Sequence, residues 1–151
     1  MTIWRPAPTI LVKAIGLVWR EGRLLASEVR SDDGSLKGVR PLGGRLEFGE
    51  SWQNALIREF NEELGIEITI AGAPRVMENI YTHEGQTGHE ILFVADVRCA
   101  PGALGAGPID YAEDNGVMCR ANWFDVGALD TPGQPALFPA GLKDNLTTGH
   151  S

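Results

Sequence analysis

The sequence predicts an α/β protein of the α+β kind, with a mixed β-sheet and helices packed on its faces, in one domain spanning residues 1–151. Three observations support this class. Segments rich in Val, Ile and Leu lie on both sides of one long amphipathic segment. The 19 glycines favour a loop-rich chain over a helical bundle. Regular alternation of strands and helices is absent, which argues against a doubly wound nucleotide-binding sheet.

The N-terminal segments have the composition of β-strands. Residues 9–19 and 23–29 are rich in Ile, Leu and Val, and the Glu-Gly pair between them predicts a β-hairpin. Short extended segments lie on either side of the Gly-Gly pair at 43–44. Such a pair predicts a turn, or a place where the backbone closely approaches a ligand.

The segment that follows Ser51 has the periodicity of an α-helix. Ser51 is a suitable N-cap, and Gly65 is a suitable stop because glycine readily adopts the left-handed conformation that ends helices. Between them, large apolar residues recur every four positions: Trp52, Leu56, Phe60 and Leu64. This stripe predicts a helix that packs on the sheet.

The second half of the chain predicts more strands and a short final helix. Residues 100–115 predict a loop with an acidic patch, and a helical segment is expected within residues 135–146. The predicted strands are 66–70, 75–81, 90–98 and 121–124.

Charge and composition exclude several classes of protein. A net charge of −7 argues against a basic surface for a nucleic-acid polymer. The apolar N-terminal run is interrupted by Lys13 and is too short to cross a membrane, so a cytoplasmic protein is expected. Cys99 and Cys119 are far apart in sequence and are expected to be reduced thiols.

Three glutamates, Glu59, Glu62 and Glu63, occupy the last turns of the predicted helix, where negative charge opposes the helix dipole. At roughly 100° per residue, Glu63 lies about 40° to one side of Glu59 and Glu62 about 60° to the other. Like charges at these spacings repel, whereas a cation between them would reverse the sign. Carboxylate oxygens suit Mg²⁺ or Mn²⁺. The residues alone leave a metal site and a solvated acidic face open.

Two neighbouring residues extend this pattern. Arg58 lies four positions before Glu62 and is expected either to hold that carboxylate or to form an ordinary surface ion pair. Glu50 precedes the helix, where its charge also suits the N-terminal end of the dipole.

Together these residues resemble the Nudix signature, G-x5-E-x7-R-E-U-x-E-E-x-G-U, in which U is a bulky apolar residue. The match spans residues 44–66, and its one loosened position is the aromatic Phe60, where an aliphatic residue is commoner. The fixed positions are filled by Gly44, Glu50, Arg58, Glu59, Phe60, Glu62, Glu63, Gly65 and Ile66.

The resemblance implies a Nudix-like α/β/α sandwich and hydrolysis of a nucleoside diphosphate linked to another moiety. It implies that Glu59, Glu62, Glu63 and the backbone carbonyl of Gly43 hold Mg²⁺ or Mn²⁺, which activates a bound water for attack on phosphorus. It also implies that Arg58 orients a glutamate. Glu50, Arg58, Glu59 and Glu62 are therefore the expected catalytic residues.

The resemblance leaves the general base open. A glutamate of the signature, Glu59 or Glu62, is one choice. The other is a carboxylate from the acidic patch, with Glu113 as first candidate, as base or extra ligand, and Asp110 or Asp114 in reserve. A solvated loop is the alternative interpretation of that patch.

Few residues bear on the substrate. Tyr81, fifteen positions after the signature, disfavours ADP-ribose within the family and is expected to stack on a base or to pack in the core. Arg45, with Arg40, is a candidate phosphate contact. His83 and His89 are candidates for the mouth of the site, although each is interpreted more simply as a surface residue.

Two other functions fit the same scaffold. A binding or sensing module would keep the fold without turnover, and the complete set of carboxylates argues against it. An isomerase acting on an isoprenyl diphosphate would need a reactive cysteine in the cleft, and neither cysteine lies in a recognisable setting in the sequence. Relatives of this kind are often homodimers.

Overall fold

The computed structural model describes residues 3–113 and 116–147 as a mixed β-sheet with one helix on each face. The two helices are α1 (Trp52–Leu64) and α2 (Leu142–Thr147), and a 3-10 turn covers Val126–Ala128. The strands are β1 (Ile10–Leu17), β2 (Trp19–Arg20), β3 (Arg23–Arg30), β4 (Leu36–Arg45), β5 (Thr69–Ile70), β6 (Arg75–His83), β7 (Gln86–Arg98), β8 (Ile109–Ala112), β9 (Met118–Asp125) and β10 (Ala136–Leu137).

The sheet is mixed, as predicted. Its main path runs β5-β7-β1-β4-β3-β9-β8, and β6, β2 and β10 pair with β7, β3 and β4. β1 is parallel to β7 and antiparallel to β4. β1 lies between β7 and β4, the strand that precedes α1. It therefore lies in the part of the sheet beneath α1.

The predicted hairpin is present but shorter than expected. Glu21 and Gly22 form its turn with positive φ values of 50° and 79°, and β2 pairs with β3. β1 itself does not continue the pairing, because β4 lies between β1 and β3 in the sheet. Strand composition predicts an extended segment, but it does not determine which neighbour that segment takes.

The turn predicted at Gly43 and Gly44 is wrong. Both glycines lie inside β4, where they pair with Ile15 and Ala14 of β1. A Cβ atom on Gly44 would overlap the carboxylate of Glu59, and one on Gly43 would overlap the backbone of Ala14. The glycines therefore allow close approach between elements of the protein, whereas the sequence had suggested a turn or close approach to a ligand.

The two faces of the sheet carry separate hydrophobic clusters. Consecutive residues of β1 face opposite sides, so Ala14 packs beneath α1 and Ile15 packs towards α2. Leu56 and Phe60 fill the α1 side, while Leu142 and Leu146 fill the other. This arrangement is the predicted α/β/α sandwich.

The region predicted as an acidic loop contains a strand. β8 pairs with β9, and its residues alternate in exposure, with Tyr111 buried. The glycines and prolines of residues 101–108 obscured this short strand in the sequence. The strand predicted at 66–70 is also reduced, to Thr69–Ile70. Neither helix of the described residues has the length and apolar composition needed to cross a membrane.

Candidate active site

Arg58 is the centre of a charged network on α1. Its guanidinium forms two bonds with the Glu50 carboxylate, at 2.7 and 2.9 Å. It also donates to Glu59 at 2.8 Å, to Glu62 at 3.3 Å and to the backbone carbonyl of Arg45 at 3.1 Å. The expected contact with Glu62 is thus present but is the longest of the set. Arg58 binds most closely to Glu50, which lies outside the helix.

The link between Arg58 and Glu50 is strongly electrostatic. Hydrogen bonds from Arg58, together with one from the backbone N–H of Glu47, hold the pKa of Glu50 at about 2. The same carboxylate raises the pKa of Arg58. Both groups are therefore charged at every physiological pH, and the loop before α1 is fastened to the middle of the helix.

Glu59 lies beneath this network, against the sheet. Its side chain is 5% exposed, and one of its oxygens accepts from Arg58. The carboxylate occupies the space that a side chain on Gly44 would fill. Glu59, Glu63 and Gly43 share a narrow crevice, whose lining residues are Leu42, Gly43, Glu59, Phe60, Glu63 and Leu64. Three of the four predicted metal ligands therefore lie together.

Glu62, the fourth predicted ligand, does not line the crevice. Its side chain is 46% exposed and is drawn towards Arg58. Glu62 and Glu63 lie on opposite sides of Glu59 around the helix, about 100° apart, so the three carboxylates do not converge on one point. The donor set nevertheless consists of carboxylate and carbonyl oxygens, which are the ligands that Mg²⁺ prefers.

In the described part of the chain, a different set of three side chains does converge on one point. Asp32, His83 and Glu84 offer ligand atoms within 4.8 Å of one another. Asp32 is already bound by both guanidinium nitrogens of Arg5, and Lys37 lies 3.1 Å from the His83 ring. His83 is buried, which corrects its interpretation as a surface residue. The neighbouring cations make this group an ion-pair cluster.

Glu113 follows β8, whose Tyr111 packs in the hydrophobic cluster on the α1 side of the sheet. The Cys119 thiol donates to the Glu113 carboxylate at 3.3 Å, and the buried Tyr111 hydroxyl donates to Ser27 at 2.8 Å. Burial, followed by Glu113, raises the pKa of Cys119 to about 12, and Glu63 contributes to this shift. Burial likewise raises the pKa of Tyr111, with smaller contributions from Glu63 and Glu113. Glu113 and Glu63 therefore both act electrostatically on Tyr111 and Cys119.

The reserve candidates for the base differ from Glu113. Asp110 forms a two-bond ion pair with Arg120, at 2.8 and 3.2 Å, on the exposed face of the hairpin. Asp114 lies outside the described residues. Cys119 lies beside Glu113, a contact that the sequence did not reveal.

The predicted substrate contacts lie on two elements. Arg45 is exposed at the end of β4, where its carbonyl receives Arg58. The half-buried Tyr81 ring lies across Gly88, whose lack of a side chain makes room for it, and is parallel to Trp4 at 6.5 Å. His89 lies 3.3 Å from the exposed Glu78 carboxylate. The Tyr81 ring therefore packs within the protein, between Gly88 and Trp4.

A buried ion pair that the sequence did not predict lies on the α2 side of the sheet. Lys13 lies 2.8 Å from Glu90, whose other oxygen accepts from Asn79 at 3.0 Å. Burial would raise the pKa of Glu90, but Arg40 and Lys13 together lower it. Lys13 interrupts a run of apolar residues, and a charge in a buried strand was the available signal.

A cavity of about 550 Å³ lies apart from the glutamates, with Trp19, Asp96 and Trp123 among its walls. It contains none of the residues predicted for catalysis or metal binding. Asp96 accepts a hydrogen bond from the Trp19 indole at 3.2 Å. Two of the carboxylates predicted to bind a metal, Glu59 and Glu63, line the small crevice and not this larger cavity. The small crevice is therefore the candidate active site.

Comparisons with known proteins agree with this fold. A sequence model described as the NUDIX domain matches residues 10–143. The fold is similar to the solution structure of the E. coli ORF135 protein, with a TM-score of 0.54 and 21% identity over 92% of this chain and 91% of that one.

Two further solved structures have similar folds. A NUDIX hydrolase from Nitrosomonas europaea gives a TM-score of 0.51 and 22% identity, covering 79% of this chain and 74% of that one. A MutT NUDIX hydrolase from Burkholderia pseudomallei gives a TM-score of 0.50 and 20% identity, covering 82% of this chain and 89% of that one. No curated protein sequence matches the chain. At these identities the structures support the fold, and the domain match supports the family.

Proposed function

This chain belongs to the Nudix family of hydrolases, and we propose that it hydrolyses the diphosphate of a nucleoside diphosphate linked to another moiety, with Mg²⁺ as its cofactor and Mn²⁺ as a possible substitute. The observation that carries the proposal is the crevice shared by Gly43, Glu59 and Glu63, with the exposed Glu62 on the same helix. Carboxylates at the C-terminal end of a helix oppose the helix dipole. A bound cation would offset this cost, so their placement there favours a metal site.

Glu59, Glu62, Glu63 and the carbonyl of Gly43 are the proposed ligands. When bound, a divalent cation neutralises phosphate oxygens and lowers the pKa of water. Arg58 has a different role, because it fixes Glu59 and Glu62 through hydrogen bonds. Glu50 in turn fixes Arg58 and does not need to contact the substrate.

We assign acceptance of the proton from the attacking water to Glu113. Glu59 and Glu62 both accept hydrogen bonds from the Arg58 guanidinium, so each of these carboxylates is already engaged within the protein. The hydrogen-bond partner of Glu113 is the thiol of Cys119.

A substrate panel tests the function. Purified protein is incubated with nucleoside triphosphates, nucleotide sugars, dinucleoside polyphosphates and ADP-ribose, with Mg²⁺ or with EDTA, and phosphate is measured after a phosphatase step. We expect Mg²⁺-dependent release from at least one compound, and we expect Glu62→Gln and Glu63→Gln to abolish it. Glu67→Gln, an exposed carboxylate just beyond the helix, is the matched control. Tight nucleotide binding without turnover would instead indicate a sensing module.

We further propose that the chain is one domain, acts as a homodimer in the cytoplasm, and binds no nucleic-acid polymer. The net charge of −7 supports the last point, because phosphate backbones are bound through clustered cations. Light scattering after gel filtration measures the dimer directly, and a monomeric mass would contradict it.

A further inference from the structure

The hairpin of β8 and β9 fixes the backbone of Glu113. Tyr111 pairs with Cys119 across the two strands, so their side chains share a face. At the turn, the N–H of Glu113 donates to Val117 at 3.0 Å, and the N–H of Gly116 donates to Glu113 at 2.8 Å. The backbone of Glu113 is thus held by two hydrogen bonds just beyond the end of β8.

The side chain of Glu113 is fixed by a separate contact. In the described ranges of the chain, the Cys119 thiol is the group that donates a hydrogen bond to this carboxylate, at 3.3 Å. Cys119 is half-buried, and it is held beside Tyr111, whose hydroxyl is bonded to Ser27 of β3. The thiol therefore belongs to the rigid sheet, whereas the carboxylate extends from the turn.

A thiol has a particular advantage as the partner of this carboxylate. It restricts the rotamers of Glu113 but adds no positive charge, whereas Arg58 adds a full charge to Glu50 and Glu59. The thiol thus restricts the Glu113 side chain without placing a charge beside it.

We propose that Cys119 is a positioning residue for hydrolysis, whose thiol holds the Glu113 carboxylate on the face of the hairpin that packs towards α1. This inference rests on the proposed function and adds a residue that lies outside the Nudix signature. It gives Cys119 the role of a hydrogen-bond donor and requires no covalent chemistry at sulfur.

A double-mutant cycle tests the proposal with the full chain. Cys119→Ala removes the donor and is expected to lower kcat by roughly three- to tenfold, the effect of one neutral hydrogen bond, with KM within about twofold. Cys119→Ser keeps a donor and is expected to restore kcat to within about twofold of the unmodified protein. In a Glu113→Gln background, Cys119→Ala is expected to cause no further loss.

Cys99→Ala is the matched control, because Cys99 is also half-buried and lies in the wall of the separate cavity. Its kcat is expected to equal that of the unmodified protein. Equal losses from Cys119→Ala with and without Glu113→Gln would overturn the proposal, as would failure of serine to restore kcat. Circular dichroism and the Tm of each variant identify any loss that comes from misfolding.

A second measurement is independent of turnover. Mn²⁺ broadens the carboxylate ¹³C signal of a nearby glutamate, and we expect strong broadening for Glu113 in the unmodified protein and in Cys119→Ser, but weaker broadening in Cys119→Ala. Equal broadening in all three proteins overturns the inference. If no nucleotide is hydrolysed by the unmodified protein, the proposed function fails, and this measurement still decides the role of Cys119.

Discussion

Arg58 offsets the cost of placing Glu59 beneath the helix. A buried carboxylate is strongly destabilising unless it is paired and hydrogen-bonded, and Arg58 supplies both contacts. The planar guanidinium reaches Glu50, Glu59 and Glu62 at once, which a lysine ammonium cannot do with the same geometry. Arg58 therefore orients two of the proposed metal ligands through a single side chain.

Arg58→Lys is expected to lower metal affinity or kcat by about 10- to 100-fold, the usual effect of losing a residue that orients metal ligands. Mg²⁺ titration of activity measures both quantities. Arg120→Lys is the matched control, since Arg120 also forms a two-bond pair with a carboxylate, Asp110, but on an exposed face. An Arg58→Lys protein as active as Arg120→Lys would contradict the role assigned to the guanidinium.

Gly44→Ala tests the closeness of β4 to the helix. The new Cβ would overlap the Glu59 carboxylate, so α1 or Glu59 must shift. We expect destabilisation of about 1–3 kcal/mol, measured by urea denaturation, together with weaker Mn²⁺ binding. Gly107→Ala is the control, because a Cβ there meets no atom within 4 Å. Unchanged Mn²⁺ binding in Gly44→Ala would show that this approach does not shape the metal site.

At the scale of elements, α1 was predicted well because its signals are local. Ser51 accepts from the N–H of Asn54 at 3.2 Å, and Gly65 adopts a φ of 67°, as the sequence indicated. The role of Glu50 was harder to predict, because its partner lies eight positions away and the loop must fold back to reach it. Helical periodicity relates Arg58 to Glu62, but it does not place a residue that precedes the helix.

Strand pairing was the least predictable part of the site. Gly43 and Gly44 were interpreted as a turn, since nothing in their neighbours reveals that a carboxylate from α1 will occupy the space above them. β8 was missed because four residues carry little periodicity. Glu113 was selected as a candidate from its charge alone, and its bond to Cys119 depends on a strand register that the sequence does not determine.

The stability contributed by the ion pair between Glu50 and Arg58 has a predictable dependence on pH. The folded-state pKa of Glu50 is lowered from 4.5 to about 2, so the pair with Arg58 contributes stability above about pH 4.5 that is lost as the pH falls through about 2. Urea denaturation of the unmodified protein and of Glu50→Gln should therefore differ most above about pH 5, and the difference should shrink towards pH 2. Glu47→Gln is the control, because Glu47 forms no ion pair within the described residues. A difference that is constant with pH would contradict the assignment.

For the whole molecule, the sandwich places an acidic site on an acidic protein. The net charge of −7 would repel the proposed nucleoside diphosphate substrate, and the proposed divalent cation at the crevice would offset this repulsion locally. The layered architecture and mixed sheet were predictable from the order of segments. The strand order was not, because it depends on contacts between residues far apart in the chain.

Binding of Mg²⁺ at the crevice should stabilise the entire fold, because a ligand that binds only the native state raises the free energy of unfolding. At a concentration about 100 times its Kd, the gain is about 2.7 kcal/mol, which corresponds to a rise in Tm of roughly 5–10 °C for a chain of this size. Calorimetry should show one transition that moves with Mg²⁺ and returns after EDTA. Glu63→Gln should remove most of the shift. If Glu63→Gln leaves the shift intact and Asp32→Asn removes it, the cation binds at Asp32, His83 and Glu84 instead. That result would show that the metal does not bind the helix glutamates. It would therefore contradict the proposed roles of Glu59, Glu62 and Glu63.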